Sequence, residues 1–204
     1  MPKLTHLSLF TGYGGLDIAA HWAGFETVGI VEWADYPSEL LNKRFPLVPK
    51  WKDIKTFTGD DFFERTGRRT VDVVSGGFPC QPFSLAGKRR GAEDDRHQWP
   101  QMLRVITEIR PAWVIGENVA GIISMAEPPQ APYLESRTLN RFAGADHYHG
   151  IFSRQQNMLF NSIIQDLNNI GYEVAPFGVP ACAVQANHER MRTVFVAHAD
   201  RNRG

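Results

Sequence analysis

Short apolar runs alternate along the chain with segments whose apolar residues recur every three or four positions. The runs predict β-strands, and the periodic segments predict α-helices. The predicted strands are residues 4–10, 26–32, 71–77, 112–119 and 193–199, and the predicted helices are residues 16–24, 36–46, 101–111 and 158–171. Because strands and helices alternate, we expect an α/β fold. It would have a mostly parallel sheet, helices on both faces, and ligand sites at the carboxyl ends of the strands.

Residues 124–157 interrupt this alternation. They show little periodicity and are rich in turn-forming residues, so we expect a long surface excursion there. With 204 residues, of which 43% are hydrophobic, the chain is long enough to bury one substantial core. We therefore interpret residues 1–204 as a single domain.

Composition and the distribution of charge limit the classes of protein to which this chain can belong. The chain shows neither a leader-like start nor an apolar run near the ~20 residues that cross a bilayer, which predicts a cytoplasmic protein with no membrane partner. Cys80 and Cys182 are then expected to be reduced thiols. Basic and acidic residues number 22 each, so a nucleic acid would be bound by local clusters such as residues 65–69 or 88–90. The histidines within residues 147–149 lack partners at ligand spacing, so no metal is expected.

Cys80 lies in the segment SGGFPCQPFS, directly after a predicted strand. Pro79 and Pro82 stiffen the backbone on both sides of the thiol. A structural cysteine usually lies inside a regular element, whereas a stiff loop after a buried strand often carries chemistry. This placement predicts a reactive cysteine.

Glu117 and Asn118 end the next predicted strand. If that strand runs parallel to the one before Cys80, both carboxyl ends meet at the same edge of the sheet. A carboxyl group beside a thiol suggests a proton donor and a nucleophile that act on one substrate.

A glycine-rich turn, TGYGG, joins the first strand to the first helix. Gly12, Gly14 and Gly15 allow a tight turn and a close approach of a ligand. Glu32 ends the second strand, where a carboxylate can accept hydrogen bonds from a ribose diol. The spacing G-x-G-G departs from the dinucleotide pattern, so the turn alone fits a ligand-free connection as well as a nucleoside cofactor.

Five segments, in this order, resemble the successive motifs of the DNA (cytosine-5)-methyltransferases: LSLFTGYGG, VEW, GGFPCQPFS, ENV and HERMR. The resemblance extends from about residue 4 to residue 199. It implies a Rossmann-like fold that uses S-adenosylmethionine to methylate carbon 5 of a cytosine in DNA. It also implies that the target base is flipped out of the duplex.

Through the resemblance, Cys80 matches the thiolate that adds to carbon 6 of cytosine. Glu117 matches the acid that hydrogen-bonds N3 and the exocyclic amine, and Asn118 would orient that loop. The other matched residues would border the flipped nucleotide: Gln81 and Ser84 near the base and its phosphates, and Arg190 and Arg192 near the base, where they would lower the thiol pKa.

The same resemblance implies a set of cofactor-binding residues. Glu32 would accept from the ribose, Trp33 would pack against adenine, and Asp53 would accept from the adenine amino group. The remaining members, at the glycine turn and beside the methyl group, are Phe10, Gly12, Gly14, Gly15 and Pro79.

The chain also departs from the family pattern. Gln98 stands where an apolar residue is common, and His188 where glutamine is common. After residue 199 the family normally continues into a target-recognition domain and a final motif. Their absence here predicts the catalytic half of such an enzyme, with a separate recognition domain or subunit as a partner.

Three alternatives stay open at this point. A nicotinamide- or flavin-dependent oxidoreductase would use the same strand, turn and helix but would leave Cys80 and Glu117 unexplained. A non-catalytic remnant would bind the cofactor without turnover. A transfer-RNA cytosine methyltransferase would keep the chemistry and change the substrate.

Overall fold

The computed structural model describes residues 3–79, 98–124 and 159–200. Within these ranges one sheet contains seven strands: β1 (Thr5–Leu9), β2 (Glu26–Val31), β3 (Lys50–Trp51), β4 (Val73–Gly76), β5 (Trp113–Val119), β6 (Tyr172–Pro180) and β7 (Met191–Ala199). The α-helices of the same ranges are α1 (Gly15–Trp22), α2 (Asp35–Arg44), α3 (Gly59–Thr66), α4 (Trp99–Ile109) and α5 (Leu159–Asn169). Short 3-10 helices follow β5 and β6, at Ala120–Ser124 and Ala181–Val184. None of these described helices is long and apolar enough to cross a membrane.

The strands lie in the order β3-β2-β1-β4-β5-β7-β6. The pairs from β3 through to β5 are all parallel, whereas β7 is antiparallel to both β5 and β6. The mostly parallel α/β fold predicted from the sequence is therefore confirmed. From β1 the chain continues to β2 and β3 on one side and returns to β4 on the other, so a ligand crevice is expected where this order reverses.

The two faces of β1 contact different helices, because successive residues of a strand point to opposite sides. Ser8 donates a hydrogen bond of 2.9 Å to Asp17 of α1. Leu7 points the other way: a Cβ atom built on Gly29 would lie 2.9 Å from Leu7 Cδ1 and 3.0 Å from Phe62 of α3. Helices α1 and α3 therefore cover opposite faces of the sheet, as the alternation predicts.

Helix α4 illustrates how a helical repeat of apolar residues produces one buried face. It buries one face through Trp99, Met102, Val105, Ile106 and Ile109. Leu103, which the sequence places on the same side as Ile106 and Ile109, is only partly buried against the core. The helix begins two residues before the predicted start, with a proline in its first turn, where proline is tolerated because its missing N–H has no helical partner.

Three elements of the structure are not predicted by the apolar pattern: β3, α3 and β6. Two residues make β3 too short to show a period. Helix α3 does have a local signal, since the Thr58 side chain accepts from the Asp61 N–H at 3.1 Å as an N-terminal cap. Pro176 and Pro180 obscure β6, and they are tolerated because β6 is an edge strand. The excursion predicted at residues 124–157 lies, apart from residue 124, outside the described residues.

Candidate active site

A cavity of about 260 Å³ opens at the carboxyl ends of β1 to β4. It lies in the crevice that the reversal of strand order predicts. Its lining residues are Phe10, Val31, Trp33, Lys52, Asp53, Ile54, Lys55, Pro79 and Gln98. Four residues that the sequence assigns to the cofactor, namely Phe10, Trp33, Asp53 and Pro79, thus meet at one cavity.

The glycine turn leads sharply from β1 into α1. Phe10, Gly12 and Gly14 all have positive φ angles, of 51°, 55° and 81°. Glycine adopts this region at little cost, whereas Phe10 is strained there. The Gly14 N–H donates to the Thr11 carbonyl at 3.0 Å, and Gly15 is the first residue of α1. The predicted strand, tight turn and helix are therefore present.

Glu32 extends from the end of β2 toward this turn. Its Oε2 accepts from the Gly12 N–H at 2.6 Å, and its Oε1 accepts from the Ala34 N–H at 2.8 Å. Each carboxylate oxygen has two lone pairs, so both oxygens retain capacity to accept from a ligand. Glu32 joins the glycine turn to the segment after β2, a role that the sequence alone does not reveal.

Asp53 and Trp33 form the wall of the cavity that lies beyond β2 and β3. The Asp53 carboxylate accepts from the Lys55 N–H at 2.9 Å, which fixes its direction within a short turn. Trp33 is 68% exposed, an unusual state for so large an apolar ring. An exposed aromatic face next to a carboxylate is suited to a planar heterocycle that carries an amino group.

Glu117 lies against the backbone that leads toward Cys80. Strands β4 and β5 pair in parallel, with Gly76 opposite Gly116. A Cβ atom at Gly77 would lie 3.1 Å from Glu117 Oε2, so glycine leaves the room that this carboxylate occupies. Cys80, Gln81 and Ser84 lie outside the described residues, and their approach to Glu117 stays a prediction.

Arg192 forms an ion pair with Glu117, with 2.6 Å between Nε and Oε1. In the antiparallel register Arg192 is opposite Val119, two residues from Glu117 and on the same face of the sheet. Both side chains are partly buried, 23% and 33% exposed. Arg190 precedes β7 and is exposed. Of the two predicted arginines, the one that the described structure places against Glu117 is Arg192.

Asn118 connects the ends of β4 and β5. Its buried side-chain amide donates from Nδ2 to the Phe78 carbonyl at 2.8 Å. Its Oδ1 accepts from the Val119 N–H at 2.9 Å. These bonds hold the start of the segment that carries Cys80 against the strand that carries Glu117, consistent with the orienting role predicted for Asn118.

Several cavity residues were not foreseen from the sequence. Lys52, Ile54 and Lys55 flank Asp53 and line the cavity with it. Gln98, noted above only as a departure from the family pattern, also lines the cavity, and its N–H donates to the Pro79 carbonyl at 3.5 Å. The signal that could have found Lys52, Ile54 and Lys55 is their nearness in the sequence to Asp53, which was itself predicted to bind the cofactor. The part of the chain that the structure describes contains no cluster of three or more histidine, cysteine or acidic residues that could hold a metal.

Comparison with known proteins gives the same assignment. Residues 4–141 match the family model described as C-5 cytosine-specific DNA methylase. The type II methyltransferase M.AquIA of Picosynechococcus is 36% identical over 151 residues, which are 71% of this chain and 61% of that protein. The type II methyltransferase M.PspPI of Psychrobacter is 40% identical over 118 residues, 57% of this chain and 27% of that protein. The chain thus spans only part of the length of these relatives.

Solved structures support the fold independently. The Dnmt2 methyltransferase of S. pombe superimposes with a TM-score of 0.68 at 20% identity, covering 97% of this chain and 51% of that one. A DNMT2 mutant of Spodoptera frugiperda gives a TM-score of 0.69 at 18% identity, covering 97% and 50%. The family match covers the glycine turn, Glu32 and Glu117 and extends over more than half of the sequence, so this chain belongs to the C-5 cytosine-specific DNA methylase family.

Proposed function

We propose that this chain binds S-adenosylmethionine and transfers its methyl group to carbon 5 of a cytosine in DNA. The observation that carries the proposal is the Glu117–Arg192 pair, which lies beside the backbone leading to Cys80 and on the sheet edge that also holds the cavity. A cavity and a fixed carboxylate at the same edge of the sheet suit a reaction between a bound cofactor and a base. Family membership supports the same chemistry.

The residues around the cavity fit S-adenosylmethionine. In this proposal Glu32 accepts from the ribose, Trp33 packs against adenine, and Asp53 accepts from the adenine amino group. The rest of the binding site consists of Phe10, Gly12, Gly14, Gly15 and Pro79. The cofactor, when bound, supplies an electrophilic methyl group. Because the proposed substrate is DNA, the enzyme acts in the compartment that contains the DNA of the cell.

The reacting groups on the protein are Cys80 and Glu117. The Cys80 thiolate forms a bond to carbon 6 of the cytosine, while Glu117 hydrogen-bonds the exocyclic amine and, when protonated, N3. The electron pair shifts to carbon 5, which becomes nucleophilic enough to accept a methyl group. Loss of the proton on carbon 5 to a base then breaks the bond between sulfur and carbon 6 and frees Cys80.

The other polar residues of the site orient these groups. Arg192 fixes the Glu117 carboxylate, and Asn118 fixes the backbone before Cys80. Arg190, Gln81 and Ser84 would contact the flipped nucleotide. Because the net charge is zero, the phosphates must be bound by local basic residues rather than by an overall positive field.

The experiment is a methyl-transfer assay with radiolabelled S-adenosylmethionine and a mixture of DNA and RNA. It is run with and without a recognition domain supplied from a relative, because a base that is never flipped cannot reach the thiol. We expect the label in DNA. Label confined to RNA would make the chain an RNA methyltransferase. In a separate thermal-shift measurement, stabilisation of the chain by NAD instead of S-adenosylhomocysteine would favour an oxidoreductase.

The role of Cys80 is tested by covalent trapping. DNA with 5-fluorocytosine should form a stable adduct, because fluorine cannot leave carbon 5 as a proton does. Cys80→Ser should abolish the adduct, and Cys182→Ser is the matched control because Cys182 is an exposed free thiol on the 3-10 helix after β6. Methylation by a Cys80→Ala enzyme would refute the mechanism.

A further inference from the structure

Asp17 is a fully buried carboxyl group that the proposed chemistry does not use. It lies in the first turn of α1, and its Oδ2 accepts from the Ser8 hydroxyl at 2.9 Å. Its Oδ1 is also buried. Burial raises the pKa of Asp17 to about 6, against the opposing effects of hydrogen bonds from Ser8, from the Asp17 backbone and from Thr27. At neutral pH the fold thus holds a costly buried charge, a feature that often marks a functional region.

A chain of hydroxyl groups connects this carboxylate to the glycine turn. The Ser8 hydroxyl has one proton, and Asp17 accepts it, so Ser8 Oγ acts as acceptor toward Thr11. The Thr11 hydroxyl donates to Ser8 Oγ at 2.9 Å. Ser8 and Thr11 are both buried, so water does not compete for these bonds. The charge on Asp17 therefore makes Ser8 Oγ an acceptor, and it is the nearest acceptor to the Thr11 hydroxyl, which also lies 3.3 Å from the Ser8 carbonyl and 3.4 Å from the Val31 carbonyl.

Thr11 is the residue from which the glycine turn is held. Its N–H donates to the Val31 carbonyl at 3.3 Å, and its own carbonyl accepts from the Gly14 N–H at 3.0 Å. The residues on both sides of it, Phe10 and Gly12, have positive φ angles. A turn that includes a strained phenylalanine persists only if its surroundings restrain it.

We infer that Asp17 is a positioning residue for the cofactor site. Through Ser8 and Thr11 its carboxylate holds the glycine turn in the shape that places Phe10 in the cavity wall. The effect on cofactor affinity rests on the function proposed above, whereas the effect on the turn does not. No step of methyl transfer involves Asp17.

Other titratable groups near Asp17 could contribute to the pH dependence of the glycine turn. The titratable and charged residues on the surrounding elements are His6 on β1, His21 on α1, Glu26 on β2, Glu32 after β2, and Asp35, Tyr36, Glu39, Lys43 and Arg44 on α2. Burial lowers the pKa of His6 to about 4, so it is neutral at and above pH 5. His21 is exposed on α1, and its replacement by glutamine serves as a control for the pH profile.

The test compares amide hydrogen-exchange protection at Gly12 and Gly14 in the ligand-free protein. Asp17→Asn should reduce their protection at least fivefold at pH 7, because an amide can donate as well as accept and no longer fixes the hydroxyl direction. The Ala23 and Phe25 amides, bonded within and just after α1, should keep theirs. The wild-type turn should lose protection below about pH 6, and His21→Gln should share that profile. Unchanged protection, or an equal loss at every amide, would overturn the inference.

Two buried hydroxyl residues provide a matched pair. Ser8→Ala cuts the chain and should reproduce the loss of protection, whereas Thr193→Ala removes a buried hydroxyl on β7, three strands away from β1, and should not. The double variant Asp17→Asn with Ser8→Ala should lose no more than either single variant. Additive effects would mean that the two residues act separately and would contradict the inference.

Affinity for S-adenosylhomocysteine separates this inference from the proposed function. If the wild-type chain binds, Asp17→Asn should weaken binding severalfold while leaving the unfolding free energy at pH 7 unchanged or higher. Retained affinity together with retained protection overturns the inference. If the wild-type chain does not bind, the proposed cofactor fails, and the exchange result still decides whether Asp17 holds the turn.

Discussion

Gly116 lies directly under the ring of Phe195. A Cβ atom built on Gly116 of β5 would be 2.0 Å from Phe195 Cζ and 2.2 Å from its Cε1. The two residues are opposite each other in the register of β5 and β7, and Phe195 is buried against Phe78 and Trp99. The glycine thus lets a core ring pack immediately before Glu117, so core packing and placement of the proposed catalytic carboxylate depend on the same contact.

Gly116→Ala should therefore destabilise the protein by at least about 1–3 kcal/mol, because the ring has no free space to move into. Combining it with Phe195→Leu should recover part of the loss, giving a coupling of about 1 kcal/mol in urea denaturation. Gly178→Ala is the matched control, since the nearest atom to its Cβ would be Met191 Sδ at 3.7 Å. A Gly116→Ala protein as stable as the control would contradict the packing described.

Asn118→Asp removes one hydrogen bond and places a charge at a buried position, which adds to the cost. Aspartate can still accept from the Val119 N–H through a side-chain oxygen, but an ionised carboxylate cannot donate to the Phe78 carbonyl. A buried acceptor left unsatisfied costs about 1–3 kcal/mol. We expect lower stability and a lower kcat, with cofactor affinity retained. Equal methylation rates for Asn118→Asp and wild type would show that this bond does not orient the Cys80 segment.

The stability of the protein should depend on pH through two opposed buried groups. The folded pKa of Asp17 is about 6, above the ordinary 3.8, so its contribution to stability is complete below pH 3.8 and is lost as the pH rises through 6. The folded pKa of His6 is about 4, below the ordinary 6.5, so its contribution is complete above pH 6.5 and is lost as the pH falls through 4. Both shifts arise from burial, and between pH 4 and 6 their effects largely cancel.

Single variants should reveal each effect. Relative to wild type, Asp17→Asn should gain stability as the pH rises from 4 to 6, since it lacks the cost of ionising Asp17, and His6→Asn should lose stability over the same interval. Each difference should reach about 2 kcal/mol over this interval, given roughly 1.4 kcal/mol per pKa unit. Urea denaturation at several pH values measures both. Parallel curves for the three proteins would show that neither group titrates in the folded core.

The sequence predicts the parts of this fold that have a period or a local signal. The alternation of strands and helices predicted the parallel sheet, and four of the predicted cofactor residues, Phe10, Trp33, Asp53 and Pro79, line one cavity. The sequence does not predict β6, because Pro176 and Pro180 are untypical of a strand. It also does not predict that Glu117 pairs with Arg192 rather than Arg190, because that pairing depends on the register of β7. Asp17 was missed because a charged residue in a first helical turn usually faces water, and only tertiary packing buries it.

Arg192→Ala should affect catalysis far more than stability. The ion pair with Glu117 is partly exposed, so its loss should change the unfolding free energy by less than about 1 kcal/mol. Methylation should fall at least tenfold, because the Glu117 carboxylate loses the group that orients it toward the base. Asp60→Asn, which removes a long and exposed pair with Arg69 but keeps the arginine, is the control and should change neither quantity. An Arg192→Ala enzyme with normal kcat would remove Arg192 from the proposed site.

Glu32→Ala should weaken the binding of S-adenosylhomocysteine by about 10–100-fold, since a hydrogen bond to a charged group contributes about 1.5–3 kcal/mol. Part of the loss should come from the turn, because the same carboxylate accepts from the Gly12 N–H. Glu32→Gln keeps one acceptor oxygen and should therefore lose less affinity than alanine. Glu26→Ala, at the opposite end of β2, should bind normally. Calorimetry measures all four proteins, and unchanged affinity in Glu32→Ala would place the cofactor outside the crevice at the ends of β1 and β2.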